Sequence, residues 1–417
     1  MLCLKRSLRA GVWLLGLVLL TSSLSARVFT DRAGNSYDGS VVNVTDTEVT
    51  IMVPEKGAFY KVPIANLSAK DQAYITSLRE KKKKAAPNTP KRAVEARPVS
   101  RNSATLTTSK LKAKHRLVDN YLTNWPRFIS VPKTVHVRKV SENKGRKQYV
   151  YHSPSFEFVS DVPLSTTIIG EFGLMFEATR EYCRKLPISS MKAHVPKLQG
   201  RNRILLFENV QSYVRNGGHP SAAGVYVPSR NLILIPLRSL GVKKLNGVYN
   251  YDRQTSNSVL VHEIVHQLTD PEYFAHGARG WFSEGLAQYC AETRYSSGDF
   301  SVSGVKERIK NYAVGTATVR GLGAKIDAPD LEKFMLQSYQ SFTSNAGYNY
   351  RLGTLVTYYF FHMERDRKNI TAFLKALKRG ETGNKALKHL LSGRNFDQLE
   401  RDIRNAWKRS GVEINFQ

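Results

Sequence analysis

The chain has 417 residues, a formal net charge of +29 and 41% hydrophobic residues. That length exceeds one ordinary domain and predicts two or three units. The basic balance predicts salt-weakened adhesion to anionic polymers, acidic lipid surfaces or acidic substrates. Without a recognisable nucleic-acid-binding module, it does not by itself point to DNA or RNA.

The chain begins with Lys5, Arg6 and Arg9, then an apolar run from Ala10 to Leu20, then small and polar residues from Thr21 to Ala26. This is the order of an export signal, expected over residues 1–26 with cleavage after Ala26. The run is well short of the roughly 20 residues needed to cross a bilayer. No second long apolar segment follows, so the mature chain is expected to lack a transmembrane span. Its expected location is secreted, periplasmic or at the cell envelope. Two cysteines remain after cleavage, Cys183 and Cys290, both in helical patterns. They are expected either as a disulfide or as two buried thiols.

Residues 27–78 read as a small β-rich module. Tyr37–Val44, Val49–Val53 and Ala58–Val62 are strand-like runs between Gly, Asp and Pro punctuation. Ser68-Ala69-Lys70-Asp71 opens a short helix with a capping-box pattern. Arg27-Val28-Phe29-Thr30-Asp31, Gly34, Val62-Pro63-Ile64 and Leu67-Ser68 with Asp71-Gln72 and Tyr74 together resemble the Sla homology domain. That resemblance implies an SH3-like barrel over about fifty residues, serving either peptide or protein binding or mere spacing.

Residues 79–117 combine Lys81–Lys84, Pro87, Pro90, Pro98 and a Ser/Thr-rich patch. Thirteen Lys and Arg between Arg79 and Arg116 face only Glu80 and Glu95, a local charge of +11. With no apolar periodicity, this stretch reads as a cationic disordered linker. It is either solvated spacing or a contact for anionic cell-envelope polymers.

Residues 118–417 read as one α+β domain. Thr134–Val140, Gln148–His152, Phe156–Ser160 and Arg203–Phe207 are predicted strands, and Leu164–Leu186 a helix. Gly224–Pro228 and Asn231–Ile235 are expected to pair as a hairpin turning at Ser229-Arg230. The second arm is the expected cleft edge against which an extended substrate would pair. After Ser256 the pattern is nearly all helix to Ser410, with one helix ending at Thr269 and the next over Phe282–Arg294.

The first of those helices carries His262-Glu263-Ile264-Val265-His266. Helical geometry puts His262 and His266 on one face about 6 Å apart, where two imidazoles reach one cation with Glu263 beside it. Val259, Leu260, Ile264, Val265 and Leu268 supply an apolar bed, Thr255 or Ser256 an N-cap, and Asp270-Pro271 a stop. Glu284, eighteen residues on in Trp281-Phe282-Ser283-Glu284-Gly285-Leu286-Ala287, closes a three-ligand set and leaves one coordination position open. Open sets belong to catalytic zinc sites. Asp270 and His276 are rival third ligands. A metzincin would need Gly and His three and six positions after His266, where Thr269 and Glu272 stand.

These two segments resemble the gluzincin metallopeptidases, and more narrowly the peptidase MA-like bacterial families. The resemblance covers about residues 130–410 and implies a zincin-like two-lobed fold with one zinc per chain in the cleft. It implies His262, His266 and Glu284 as ligands. Glu263 would be the general base that takes a proton from the attacking water and gives it to the leaving amine. Tyr350, in Tyr348-Asn349-Tyr350-Arg351-Leu352-Gly353, resembles the transition-state tyrosine of related gluzincins, with Tyr348 as its rival. Two departures stand out. Gln288 occupies a place where some relatives carry an acid, and no Gly-x-Met-Glu-Asn-like segment precedes the metal helix. The second weakens an aminopeptidase reading and makes cleavage of peptide or protein substrates within the chain the expectation. The alternative expectation is an envelope-binding scaffold on a peptidase-like fold.

Overall fold

The computed structural model describes residues 27–32, 36–44, 46–53, 58–84, 119–194, 200–220, 222–253, 255 and 258–417. The expected export signal, most of the linker and Ser256 lie outside the described residues. The chain divides into two compact units, one within residues 1–104 and one within 105–417. Among the described residues no helix is long and apolar enough to cross a membrane.

In the first unit, β1 (Arg27–Thr30), β2 (Ser36–Val44), β3 (Glu48–Val53) and β4 (Ala58–Pro63) form an antiparallel meander in chain order. Phe29, Val49, Ile51, Val62, Leu67 and Ile75 form its core. The helix that follows runs from Ala69 to Lys84. At its start the Asp71 N–H donates to Ser68 Oγ (3.3 Å), while the Ser68 hydroxyl donates to Asp71 Oδ2 (2.7 Å). Asp71 Oδ2 also accepts from the Thr30 N–H at 3.0 Å, so the helix start is tied to β1. The helix is longer than the short one expected, and residues 79–84 continue it. Lys, Arg, Glu and Leu are good helix formers, and the first proline comes only at Pro87.

The second unit is α+β. Its strands are β5 (Phe128–Ser130), β6 (Arg138–Asn143), β7 (Gln148–His152), β8 (Phe156–Ser160) and β9 (Asn202–Phe207), then β10 (Val225–Val227) and β11 (Leu232–Pro236). The main sheet has the order β10-β11-β9-β8-β7-β6, with β8, β9 and β11 mutually parallel. β11 is buried throughout, as expected of an interior parallel strand. Helix Thr166–Lys185, capped by Ser165 Oγ accepting from the Ile168 N–H, packs Phe172 and Phe176 against Phe156 and Phe158.

Several expectations need correction. The predicted strand Thr134–Val140 is displaced to Arg138–Asn143, where every residue is exposed. An edge strand with two wet faces carries no apolar alternation to read. The predicted cleft edge, Asn231–Ile235, is interior: β10 pairs antiparallel with β11 and takes its free side. The helix expected to reach Arg294 ends at Ala291. Beyond it, β14 (Arg294–Ser296) and β15 (Asp299–Ser301) form a hairpin whose two turn residues, Ser297 and Gly298, both have positive φ. Before these come β12 (Val242–Leu245) and β13 (Val248–Tyr251), and after them β16 (Lys325–Ala328) and the C-terminal β17 (Glu413–Phe416). The last two pair in parallel, so the end of the chain is not all helix. Cys183 and Cys290 are free and buried. Burial pushes the Cys183 thiol up to about 12 and raises that of Cys290 well above its ordinary value, so both are neutral.

Candidate metal centre

Helix Ser258–Leu268 presents its ligand face because the opposite side is held by the core. Leu260, Ile264, Val265 and Leu268 are buried, whereas Val259 is 47% exposed and is not part of that bed. Asp270-Pro271 ends the helix as expected, but Asp270 has its own work elsewhere. Its carboxylate accepts from the Met191 N–H (2.7 Å) and the Lys192 N–H (2.8 Å), and it pairs with Lys378. His276 bonds the Leu336 carbonyl at 3.1 Å. Neither rival reaches the histidine pair.

Glu284 does. It lies in the first turn of helix Trp281–Ala291, where the helix dipole favours a carboxylate. Gly280 begins that helix at φ 101°, with its N–H donating to Ser283 Oγ at 3.0 Å. A Cβ there would stand 2.9 Å from the Phe342 ring, so only glycine serves.

His262 Nε2 and His266 Nε2 lie 3.0 Å apart, and each is 3.1 Å from Glu284 Oε2. His262 and His266 are 7% exposed and Glu284 2%. A tetrahedral zinc with bonds of about 2.0–2.1 Å places neighbouring ligand atoms about 3.3 Å apart, so a shift of a few tenths of an ångström suffices. Two imidazoles and one carboxylate suit such an ion. Lone pairs that converge this closely in a buried site need protons or a cation between them, and the triad can bind a metal ion. Burial opposes charge on Glu284, but the two histidines outweigh it and hold the carboxyl well below its usual range.

Glu263 lies beside the cluster. Its Oε2 accepts from the Tyr226 N–H of β10 at 2.7 Å. It is partly exposed yet stripped of most hydration, which pushes its carboxyl up to about 7, with His262 pulling the other way. A cation on the histidines would add to that downward pull.

The two candidate tyrosines separate cleanly. Tyr350 stacks on His262, ring centres 6.1 Å apart and planes 8° from parallel. Tyr348 points elsewhere and donates to the Asp327 carbonyl at 2.6 Å. Burial and the Glu284 charge raise the Tyr350 phenol far above its ordinary value, so it keeps its proton and stays a donor.

Two participants carry no sequence signal. Tyr339 donates to Glu284 Oε1 at 3.1 Å, and Tyr350 is hydrogen-bonded to Tyr339 in turn. Tyr226 supplies the Glu263 anchor and stacks near His266, ring centres 6.5 Å apart. Tyr339 lies 55 residues from Glu284, so no local spacing could have revealed it. Gln288, the departure noted in the sequence, hydrogen-bonds Glu292 at 2.7 Å. No family model matches the chain, and no curated protein matches it.

Proposed function

We propose that the chain is an exported zinc metallopeptidase that cleaves within peptides, with an SH3-like module of the Sla homology type before it. The observation that carries this reading is the buried triangle of His262, His266 and Glu284 with Glu263 at its side. The zincin-like two-lobed arrangement remains part of the proposal, supported by a main sheet that precedes the ligand helices and a helical remainder. The four-stranded meander of residues 27–63 suits a small peptide- or protein-binding module.

Bound at the triangle, a zinc ion would supply a water acidified toward pH 7 and a Lewis acid for the scissile carbonyl. The residues do the rest. Glu263, anchored at one oxygen by the Tyr226 N–H, takes the proton of the attacking water and hands it to the leaving amine. Tyr350 holds a phenolic proton that can be donated to the developing oxyanion, a contact worth about 3 kcal/mol. β10, the free edge of the sheet, lies beside Glu263 and is the strand against which an extended substrate can run.

Zinc content and cleavage of a mixed-peptide library, measured on the purified chain and on Glu263→Gln, test the proposal. The expected result is about one zinc per chain in both and a rate loss on the order of 10²–10⁴-fold in the variant. Full activity in Glu263→Gln would remove the mechanism. Zinc retained with no turnover of any peptide would favour the scaffolding alternative.

A further inference from the structure

The two helices that carry the metal ligands also wall a cavity of about 980 Å³. Ser258, one turn before His262 on the same helix face, lines it, as do Ala291 and Glu292, two turns beyond Glu284 on theirs. The cavity therefore begins about 6 Å along one helix from its ligand and about 11 Å along the other. Its size is that of a pocket which takes a ligand or part of one.

Four cations line the cavity, Lys133, Arg253, Arg294 and Arg308, against two acids, Glu171 and Glu292. Arg253 is matched by Glu171, and Lys133 by Asp299. Arg308 is different. It donates to the carbonyl oxygens of Glu292 (2.6 Å), Ser301 (3.2 Å) and Ser303 (3.0 Å), which fix the guanidinium without neutralising it. Arg294 is exposed and close enough to repel it. Among the described residues neither arginine forms an ion pair. Glu292 accepts from Gln288 and acts on Arg308 as a counter-charge more strongly than Arg294 repels it, so Arg294 is the cation left unmatched.

Two like charges held near each other on a cavity wall are stabilised by an anion between them. We infer that Arg294 and Arg308 form an anion-binding subsite that takes an acidic side chain of the peptide substrate. An extended chain advances about 3.3 Å per residue and the arginines lie beyond the near end of the cavity, so the acidic residue would stand about three or more positions from the scissile bond. This subsite rests on the peptidase reading, since it extends from that site's ligand helices.

The test is binding of two fluorescein-labelled peptides to the metal-loaded, full-length Glu263→Gln variant by fluorescence anisotropy. One peptide carries Glu from the third position outward on both sides of its centre, and the other carries Gln in the same places. The acidic peptide is expected to bind about tenfold more tightly. Adding Arg294→Glu should bring the two to parity. Adding Lys385→Glu, the same charge change at an exposed position outside the cavity, should not. Equal binding of both peptides, or a preference that survives Arg294→Glu, overturns the subsite. A preference that depends on Arg294, with neither peptide cleaved by the wild-type chain, would retain the subsite and refute the peptidase reading. Cleavage of both peptides with equal KM would do the reverse.

Discussion

Tyr350, Tyr339 and Glu284 form a run of hydrogen bonds that ends on the carboxylate of the candidate metal site. The Tyr339 proton is committed to Glu284 Oε1, which orients the carboxylate so that Oε2 faces both imidazoles. Each tyrosine therefore has a separable effect. Tyr339→Phe should weaken zinc by about 10–100-fold in competition with a chelator. Tyr350→Phe should keep the zinc and lower peptide cleavage by about 10²-fold. Tyr348→Phe, whose hydroxyl serves only the Asp327 carbonyl among its described bonds, should leave cleavage nearly unchanged. Equal losses for Tyr348→Phe and Tyr350→Phe would sink the assignment. The His-Glu-x-x-His pattern was readable because both ligands sit one helical turn apart. Glu284 was readable as a carboxylate opening a second apolar helix eighteen residues on, and Tyr339 not at all, since a hydroxyl reaching across 55 residues leaves no spacing.

Between elements, the contact that sets the site is the crossing of helix Trp281–Ala291 with helix Ala346–Tyr358, which places Tyr350 over the ligands Glu284 and His262. Gly285 and Gly353 make this approach possible. A Cβ on Gly285 would stand 2.2 Å from Thr357 Oγ1 and 2.7 Å from the Gly353 carbonyl oxygen. That oxygen is backbone and cannot swing away. Gly285→Ala should destabilise the chain by about 1–3 kcal/mol, read as a lower denaturant midpoint, with cleavage falling further as Tyr350 is pushed off His262. An unchanged midpoint would show that the helices can slide apart freely. A second device lies in the π-helical turn Tyr359–Met363 that follows. There His362 packs against Trp125, Tyr289 and Tyr358 and bonds the Tyr289 hydroxyl at 3.1 Å. Burial, helped by Arg367, lowers its pKa from 6.5 to about 4. The folded chain thus holds His362 neutral while the unfolded chain protonates it, so stability is lost as pH falls from about 6.5 through about 4, by up to about 3 kcal/mol. His362→Gln should flatten that part of the stability–pH curve. A curve of the same slope in the variant would assign the acid loss to other groups.

For the whole molecule, the three candidate ligands come from two helices that a single core holds together, so binding of an ion there would be coupled to folding. Zinc at a thousandfold excess over its Kd should stabilise the chain by about 4 kcal/mol, roughly 10 °C in melting temperature. His262→Ala should abolish that rise, and a rise retained in the variant would place the ion elsewhere. The sequence by itself determined the α+β character, the buried strands β7, β8 and β9, the free run of the ligand helix and the two histidines with Glu263. These rest on local periodicity and on neighbours within one helical turn. Tertiary structure alone decided that Tyr350 rather than Tyr348 faces the ligands, that β10 rather than β11 is the sheet edge, and that Asp270 caps another segment. It alone placed Tyr339 on Glu284 and set Arg294 beside Arg308. Each of those depends on which distant surfaces pack together, and a pairing between surfaces far apart in the chain has no period for a sequence to display.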